Sequence, residues 1–251
     1  MKLNEQFLAK LKYMNNIMKI DNAVGDQWTY CNVSKKKARG FNEARKQGKF
    51  KINCVDGPQW ALKMIGVRCT SWYGGKAEIV WLNDHAKKDV EKYFDIINTG
   101  GKTPANLYND MELCDGDILL GYTNMTHTNV YYGGKKSFDS GHAYAIGSGE
   151  GAKIRKFIGG LTYKNNKVHF ILRFKDKYRA HYRVQCGAFK TLEEYNKRVK
   201  LVESKGFHTT QVVEDDMYKV QIGLFKGKTN AKRLAAKAKE KKLDVFVKEI
   251  E

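Results

Sequence analysis

The chain has 251 residues, of which 42% are hydrophobic, and its 46 basic and 27 acidic residues give a formal net charge of +19. This length and hydrophobic fraction argue against disorder and allow one large or two modest domains. The positive charge predicts a polyanionic partner, either nucleic acid, an anionic membrane or an anionic cell wall. The five cysteines are scattered without a CxxC pair, which argues against a zinc ribbon or a disulfide scaffold.

The sequence shows no targeting signal. Residues 1–7 lack the uninterrupted apolar core of a signal peptide, and no apolar run is long enough to span a bilayer. We therefore expect a protein that is synthesised in the cytoplasm with reduced thiols and that does not insert into a membrane.

The start of the chain predicts a helix. Apolar residues recur there at three- and four-residue steps: Leu3, Phe7, Leu11, Met14 and Met18. This spacing predicts an amphipathic helix of about four turns with its apolar face in the core. The polar and basic stretch between Gly25 and Gly48 predicts a solvated loop and a short helix, and the alternative is a basic edge that contacts the substrate.

Cys54 lies between a short apolar approach and an amphipathic run that ends at Gly66. We interpret it as a thiol on the first turn of a helix. A helix N-terminus presents free N–H groups and a partial positive charge, which lower the pKa of a cysteine and favour the nucleophilic thiolate. Because a lone cysteine is more often a small buried hydrophobic residue, this interpretation requires a base and an orienting group elsewhere in the chain.

The middle of the chain predicts an antiparallel meander of strands. A polar helix around residues 87–94 and a turn at 98–101 precede it. Strands are predicted at 118–121, 127–132, 137–141, 156–158 and 168–174, with a hairpin signal at Gly133-Gly134. A helical cysteine element followed by this sheet gives an α+β domain over residues 1–175.

Two polar residues of this meander are candidates to complete a site around the thiol. A thiolate hydrolase needs an imidazole that exchanges the proton and a third polar group that orients the ring. His127 begins a predicted strand directly after a polar loop, and Asp139 follows twelve residues later across the hairpin. His142 is the alternative orienting residue.

These segments, in this order, resemble the bacterial and phage cell-wall cysteine peptidases of the NlpC type and the related CHAP amidases. Asn-Cys-Val-Asp-Gly at 53–57 stands where the family has Asp-Cys-Ser-Gly-Phe. Gly-Asp-Ile-Leu at 116–119 corresponds to its Gly-Asp motif, and residues 127–133 correspond to its His-Val-Gly-Ile-Tyr motif.

The resemblance implies a papain-like fold with N-terminal helices packed on an antiparallel sheet. It also implies that Cys54 is the nucleophile, His127 the base and Asp139 the orienting residue. The chain departs from the family at Asn53, where the family has an acidic residue, and at Asp139, where histidine is commoner. We expect these departures to affect the choice of substrate rather than the triad.

The resemblance also implies an aromatic residue near the substrate, either Tyr30 or Trp28. The backbone N–H of Cys54, at a helix start, is the expected oxyanion donor. We expect no metal ion and no cofactor, because the sequence has no HExxH motif and no Cys/His cluster at zinc spacing.

The last 70 residues contain an internal repeat. Tyr-Arg-Val-Gln-Cys-Gly-Ala-Phe-Lys at 182–190 recurs, 36 residues later, as Tyr-Lys-Val-Gln-Ile-Gly-Leu-Phe-Lys at 218–226. Each copy predicts a strand, a turn, a helix at 192–204 or 230–241, and a second strand. Residues 181–251 are therefore predicted to form a βαβ-βαβ domain, joined to the first by a linker at 176–180.

This repeat resembles the SPOR domain, whose family binds peptidoglycan. Strand alternation puts Gln185 and Phe189 on one face, and we predict that they bind the glycan together with their counterparts Gln221 and Phe225. Amides suit sugar hydroxyls, and aromatic rings suit the apolar faces of pyranoses.

The two resemblances together imply a phage or prophage endolysin. We expect a monomeric peptidoglycan hydrolase that cleaves an amide bond of the stem peptide, next to D-glutamate or a diamino acid, after a holin releases it to the wall. The close alternative is an N-acetylmuramoyl-L-alanine amidase with the same triad.

A different class remains open, namely a non-catalytic protein that binds nucleic acid or the cell wall. Repeated βαβ units with aromatic residues and strong positive charge also occur in RNA-recognition modules. Only Gly-Ala-Phe at 187–189 echoes the RNP1 motif of those modules. We therefore expect peptidoglycan, both stem peptide and glycan strand, as the partner and not nucleic acid.

Overall fold

The structure is a computed structural model, and it describes residues 1–26, 28–30, 40–68, 84–122, 125–139, 153–156 and 167–250. The chain divides into two compact units, Met1–Tyr178 and Arg179–Glu251. Of the helices in these described ranges, none combines the length and the apolar character needed to cross a bilayer.

The first unit consists of helices and a six-stranded sheet. Its helices are α1 (Leu3–Ala23), α2 (Phe41–Lys46), α3 (Asp56–Met64), α4 (Asp84–Tyr93) and α5 (Pro104–Asn109). Its strands are β1 (Thr29–Tyr30), β2 (Lys51–Ile52), β3 (Phe94–Lys102), β4 (Ile118–Tyr122), β5 (Met125–Gly133), β6 (Lys136–Asp139), β7 (Lys153–Lys156) and β8 (Val168–Phe174).

Strands β3 to β8 form one antiparallel sheet in the order β3-β8-β4-β5-β6-β7, while β1 and β2 form a short parallel pair. Alternation along the strands directs Ile118, Val130 and Phe138 to one face and Leu119 and Tyr131 to the other. The first face shares a large core with α1 and α3, and the second face shares a smaller core with α5. The sheet therefore lies between two helical layers.

The predicted opening helix corresponds to α1, and the predicted meander corresponds to β4, β5 and β6. The predicted turn at 98–101 is wrong, because these residues lie inside β3, which stays paired with β8. The register shifts between Asn98 and Lys102, and Gly100 and Gly101 have φ of 65° and 77°. Glycines therefore form a bulge here instead of a chain reversal.

The second unit contains β9 (His181–Phe189), α6 (Leu192–Ser204), β10 (Thr210–Glu214), β11 (Met217–Phe225), α7 (Lys228–Glu240) and β12 (Phe246–Ile250). Its antiparallel sheet has the order β10-β11-β9-β12, so the two copies of the repeat form neighbouring central strands. Tyr182, Val184 and Cys186 of β9 share the core with apolar residues of α6 and α7. The other face of the sheet carries no helix among the residues of this unit that the structure describes.

The predicted linker at 176–180 is ordered on both sides of the boundary between the units. Asp176–Tyr178 forms a short 3-10 helix, and the Tyr178 ring lies 5.7 Å from the ring of Tyr93 in the first unit. Ala180 is buried in the core of the second unit. The two compact units meet between Tyr178 and Arg179.

Candidate functional site

Cys54 lies in the turn immediately before α3, two residues ahead of Asp56. Asn53 Oδ1 accepts hydrogen bonds from the backbone N–H groups of Val55 (3.0 Å) and Asp56 (2.8 Å), and Asp56 Oδ2 accepts one from the Asn53 N–H (2.9 Å). This reciprocal arrangement is a capping box. It fixes the turn that carries the thiol, and no hydrogen bond between described residues uses the Cys54 N–H.

The capping box shows what Asn53 does in this chain. An amide oxygen caps a helix about as well as a carboxylate oxygen does. Asn53 therefore caps the start of α3, at a position where the resemblance to NlpC-type peptidases predicts an acidic residue.

The start of α3 lies directly on β6. A Cβ atom added to Gly57 would come within 2.6 Å of Cε1 of Phe138, so only glycine allows this approach. Phe138 is paired with Val130 of β5, and both residues lie in the same core as Cys54. The turn of the thiol is therefore close to the two strands on which the other candidate residues are found.

The backbone of His127 belongs to β5 and that of Asp139 to the end of β6. Because β5 and β6 are antiparallel and Val130 faces Phe138, the beginning of β5 lies beside the end of β6. The register of β5 against β4 also shifts close to His127. The side chains of His127 and Asp139, and the whole of His142, lie outside the part of the chain that the structure describes.

Cys54 is itself buried, with 4% of its surface exposed, and the other described cysteines are buried as well. Cys186 is fully buried in the core of the second unit, and burial raises the pKa of its thiol to about 11, so it remains protonated at neutral pH. Cys114 is buried and its backbone N–H donates to Asp117 Oδ2 at 2.8 Å. Cys31 and Cys69 lie outside the described residues.

The Gly-Asp motif at 116–117 has a structural role. Asp117 is 1% exposed, and besides the Cys114 N–H it accepts hydrogen bonds from Nε (2.9 Å) and Nη2 (2.6 Å) of Arg173 on β8. Gly116 adopts a φ of 91°, a backbone conformation that favours glycine. The motif therefore fixes the turn that leads into β4 and, through the hydrogen bonds of Asp117 with Arg173, connects this turn to β8.

Trp28 is not available as a substrate-side residue. Its side chain is fully buried and stacks on Phe41, with ring centroids 5.1 Å apart, and its Nε1 donates to Asp21 Oδ2 at 2.9 Å. Arg45 donates two further hydrogen bonds to the Asp21 carboxylate. Burial raises the pKa of this carboxyl, but the hydrogen bonds from Arg45 and Trp28 more than offset it, so the pKa is lowered. The side chain of the alternative residue, Tyr30, lies outside the described atoms.

In the second unit, the predicted faces are wrong for the two phenylalanines. Cβ atoms added to Gly187 and Gly223 would lie 2.7 Å and 2.6 Å from the rings of Phe189 and Phe225. The Gly223 position is also 2.7 Å from Leu234 of α7, and both rings pack on the core beneath the helices. We therefore assign Phe189 and Phe225 to the helical side of the sheet.

The physical reason is a bulge in each copy of the repeat. The register between β9 and β11 shifts on both sides of the Gln185–Gln221 pair, and Gly187 adopts a φ of 120°. Each bulge adds one residue, so the alternation of side chains reverses between the glutamine and the phenylalanine.

The predicted glutamines do lie together. Gln185 is paired with Gln221 on one side and with Phe246 on the other, and Gln221 is paired with Thr210. Gln185 is 2% exposed; its Nε2 donates to the Gly187 carbonyl, and its Oε1 finds no hydrogen-bond partner among the described residues. Phe246 is 49% exposed. Phe246 lies outside the repeated segment, so the sequence comparison of the two copies missed it.

A charged cluster borders this row of residues. Glu214 Oε2 accepts hydrogen bonds from Arg183 Nη1 (2.9 Å) and Lys219 Nζ (2.7 Å), and Lys248 Nζ lies 3.7 Å away. The hydrogen bonds from Lys219 and Arg183 lower the pKa of Glu214 to about 2. Lys219 Nζ also donates to Asp215 Oδ2 at 2.9 Å. The open face of the sheet therefore combines amides, an exposed ring and cations held in place by Glu214 and Asp215.

Comparison with known proteins identifies the second unit. Residues 178–249 match the SPOR domain family, and the chain therefore belongs to the proteins that carry a SPOR domain. The peptidoglycan binding domain of the B. subtilis cell wall lytic enzyme CwlC, known from a solution structure, is 40% identical over 29% of this chain and 91% of its own, with a TM-score of 0.27. No curated protein matches the chain.

Proposed function

We propose that this protein is a peptidoglycan hydrolase. In this proposal the first unit cleaves an amide bond of the stem peptide with Cys54 as nucleophile, and the SPOR domain holds the enzyme on the wall. The observation that supports the catalytic part is the contact of Gly57 with Phe138, because it brings the turn of the thiol onto the strand that ends at Asp139.

The proposed mechanism uses groups of the chain alone. His127 takes the proton of the Cys54 thiol, and the thiolate attacks the carbonyl carbon of the scissile amide. The Cys54 N–H, which the capping box does not use, donates to the oxyanion. The amine leaves with a proton from His127, and water then hydrolyses the thioester. Asp139, or alternatively His142, orients the imidazole.

Two bonds of the stem peptide fit this chemistry. The first is a peptide bond next to D-glutamate or a diamino acid, which would make the enzyme an endopeptidase. The second is the bond between muramic acid and L-alanine, which would make it an amidase. The fragments released from purified walls distinguish the two, because each cleavage leaves a different pair of new termini.

The proposed wall binding rests on the SPOR match and on the open face of the sheet in the second unit. The related CwlC domain is described as peptidoglycan binding, and we propose the same role for residues 178–249. Gln221, the partly exposed partner of the buried Gln185, offers an amide to sugar hydroxyls, and Phe246 offers a ring to the apolar face of a pyranose.

The test separates cleavage from binding. Full-length protein with Cys54→Ala should release fragments from purified walls at least about 10³-fold more slowly than the wild type. It should still sediment with the walls. Cys114→Ala is the matched control, because it truncates another buried cysteine of the same unit, and it should retain cleavage. Undiminished fragment release by Cys54→Ala would overturn the mechanism.

Binding is tested in the Cys54→Ala background, so that the walls stay intact. Adding Gln221→Ala should lower the affinity for the walls, measured by cosedimentation, about tenfold, because an amide that meets the sugar is lost. Adding Gln211→Ala, at an exposed position of the edge strand β10, is the control and should have no effect. Equal binding by all three proteins would reject the proposed face.

A further inference from the structure

A cleft of about 580 Å³ opens in the first unit between α1 and the hairpin that joins β5 and β6. We call it the lysine cleft. One wall is formed by Lys12, Asn15 and Lys19, which are spaced by three and four residues and therefore lie on one face of α1. The opposite wall contains Lys135 and Lys136 of the hairpin.

The lining of the lysine cleft has one sign of charge. Its described lining residues include four lysines and neither aspartate nor glutamate. Among the described residues, no carboxylate forms an ion pair with Lys12, Lys19 or Lys136. Lys135 Nζ lies 5.8 Å from the centroid of the Tyr108 ring. Cations on facing walls repel one another, and a bound anion would relieve this repulsion.

The two sides of the lysine cleft are held in place by a buried polar contact. Asn15 is 5% exposed, and its Oδ1 accepts a hydrogen bond from the backbone N–H of Ile154 on β7 at 2.8 Å. The helix is thereby tied to the edge strand of the sheet. The position of α1 against the sheet, which defines the cleft, is therefore fixed by the fold.

The chemistry of the lining favours a polyol phosphate over a nucleic acid. Lys12 and Lys19 are seven residues apart, roughly 10 Å along the helix, so they can contact successive phosphates of one chain. Tyr132 is a half-buried hydrogen-bonding group that suits a hydroxyl. Single-stranded nucleic acids are usually held by several aromatic stacking platforms, whereas Tyr132 is the one aromatic residue among the described residues that line this cleft.

We infer that the lysine cleft binds an anionic polyol-phosphate polymer, the chemistry of a teichoic acid, at a site separate from the Cys54 turn and from the SPOR domain. The inference rests on the proposed function in one respect only, since the wall is where such a polymer meets the protein. Binding here would give the first unit its own contact with the wall.

The test uses full-length Cys54→Ala protein and soluble poly(glycerol phosphate), with affinity measured by titration calorimetry at 50 and 150 mM salt. Lys12→Gln/Lys19→Gln should weaken binding about tenfold or more. The matched control is Lys46→Gln/Lys49→Gln, which removes two exposed lysines of the same unit outside the cleft. It should change affinity less than twofold, and a reduced salt dependence should accompany only the cleft variant.

Three results would overturn the inference. If both variants lost the same affinity for the polymer, the net charge of the protein and not the cleft would explain binding. Absence of binding to the polymer would reject the site. Single-stranded DNA bound at least as tightly as the polymer, and equally sensitive to the cleft variant, would assign the cleft to nucleic acid. Wall cleavage is measured separately on walls stripped of phosphate polymers, where Lys12→Gln/Lys19→Gln should act like the wild type, so either proposal can fail alone.

Discussion

Both units use a glycine to make room for a phenylalanine ring, but the two partners are separated very differently along the chain. In the second unit the pairs are Gly187 with Phe189 and Gly223 with Phe225, two residues apart. In the first unit the pair is Gly57 with Phe138, 81 residues apart. The two local contacts occur at the same position in each copy of the sequence repeat. The contact of Gly57 with Phe138 joins distant segments and therefore forms only when the sheet of the first unit has assembled.

The largest effect is expected where the long-range contact is broken. Gly57→Val places side-chain atoms in the space of the Phe138 ring. It should lower the free energy of unfolding of the first unit by about 3 kcal/mol, in the range typical of overpacked cores. Because the thiol turn is displaced, cleavage should also fall about 10²-fold.

Calorimetry and fragment release measure these two effects. Gly40→Ala is the control, since among the described residues the nearest atom to a Cβ at that position is Lys63 Nζ at 4.0 Å. Gly57→Val/Phe138→Ala should recover part of the stability by removing the clashing ring. A Gly57→Val enzyme of normal stability and activity would show that α3 does not depend on this contact.

The local contacts of the second unit give the next largest effect. Gly223→Ala introduces a clash with Phe225. Gly206→Ala introduces no such clash, because the nearest atom is the flexible end of Lys241, but it places an alanine at a positive φ of 82°. Gly187→Ala combines a clash with a φ of 120°. We expect it to cost about 2 to 3 kcal/mol, more than either of the other two variants. Denaturant unfolding of the three variants measures the order, and a Gly187→Ala cost no greater than that of Gly206→Ala would reject the packing argument.

A smaller effect is expected at the capping box before α3. Asn53→Ala leaves the N–H groups of Val55 and Asp56 without their acceptor and should cost about 1 kcal/mol. Asn53→Asp keeps an acceptor oxygen at the same place and should restore both stability and cleavage. Thermal unfolding and fragment release are the measurements. Equal losses from both substitutions would show that the amide itself, and not capping, is required.

The smallest effect is a pH dependence in the second unit. Since the pKa of Glu214 is about 2 in the folded protein, against an ordinary value of 4.5, folding favours its ionised form. Its ion pairs therefore contribute stability above about pH 4.5, and this contribution is lost as the pH falls towards 2. Glu214→Gln should lower stability at pH 6 and have little effect at pH 2.

The control for this prediction is Glu193→Gln. Glu193 forms an ion pair with Lys197 on α6, but both side chains are more than 70% exposed, so the pair should contribute little at any pH. Urea unfolding at the two pH values gives the comparison. A Glu214→Gln effect that is the same at pH 2 and pH 6 would contradict the assigned ionisation.

The periodic signals of the sequence predicted the elements well and the faces less well. The repeat defines the strands and helices of the second unit because each copy carries a complete strand-helix-strand pattern. The sequence pattern, however, did not distinguish its glycines from regular strand residues. The bulges in these strands reverse the alternation of side chains, so the predicted face was wrong for Phe189 and Phe225. The same misreading placed a turn at Gly100 and Gly101, where β3 has a bulge.

In the first unit, the spacing of apolar residues predicted α1 and a helix that begins at Cys54, whereas α3 begins two residues later, at Asp56. It did not predict the contact of Gly57 with Phe138 or the pairing of Asp117 with Arg173, because both join segments far apart in the chain. The resemblance to cell-wall peptidases supplied the roles of His127 and Asp139, and these roles stay predictions, as does release by a holin.

The central claim is that one unit cleaves an amide of the stem peptide through Cys54 while the other holds the wall. Mass spectrometry of purified peptidoglycan, digested in parallel with wild-type and Cys54→Ala protein, tests this claim most directly. We predict soluble fragments with one new amine and one new carboxyl group at a single amide bond, in the wild-type digest alone. Intact walls with both proteins, or identical fragments from both, would contradict it.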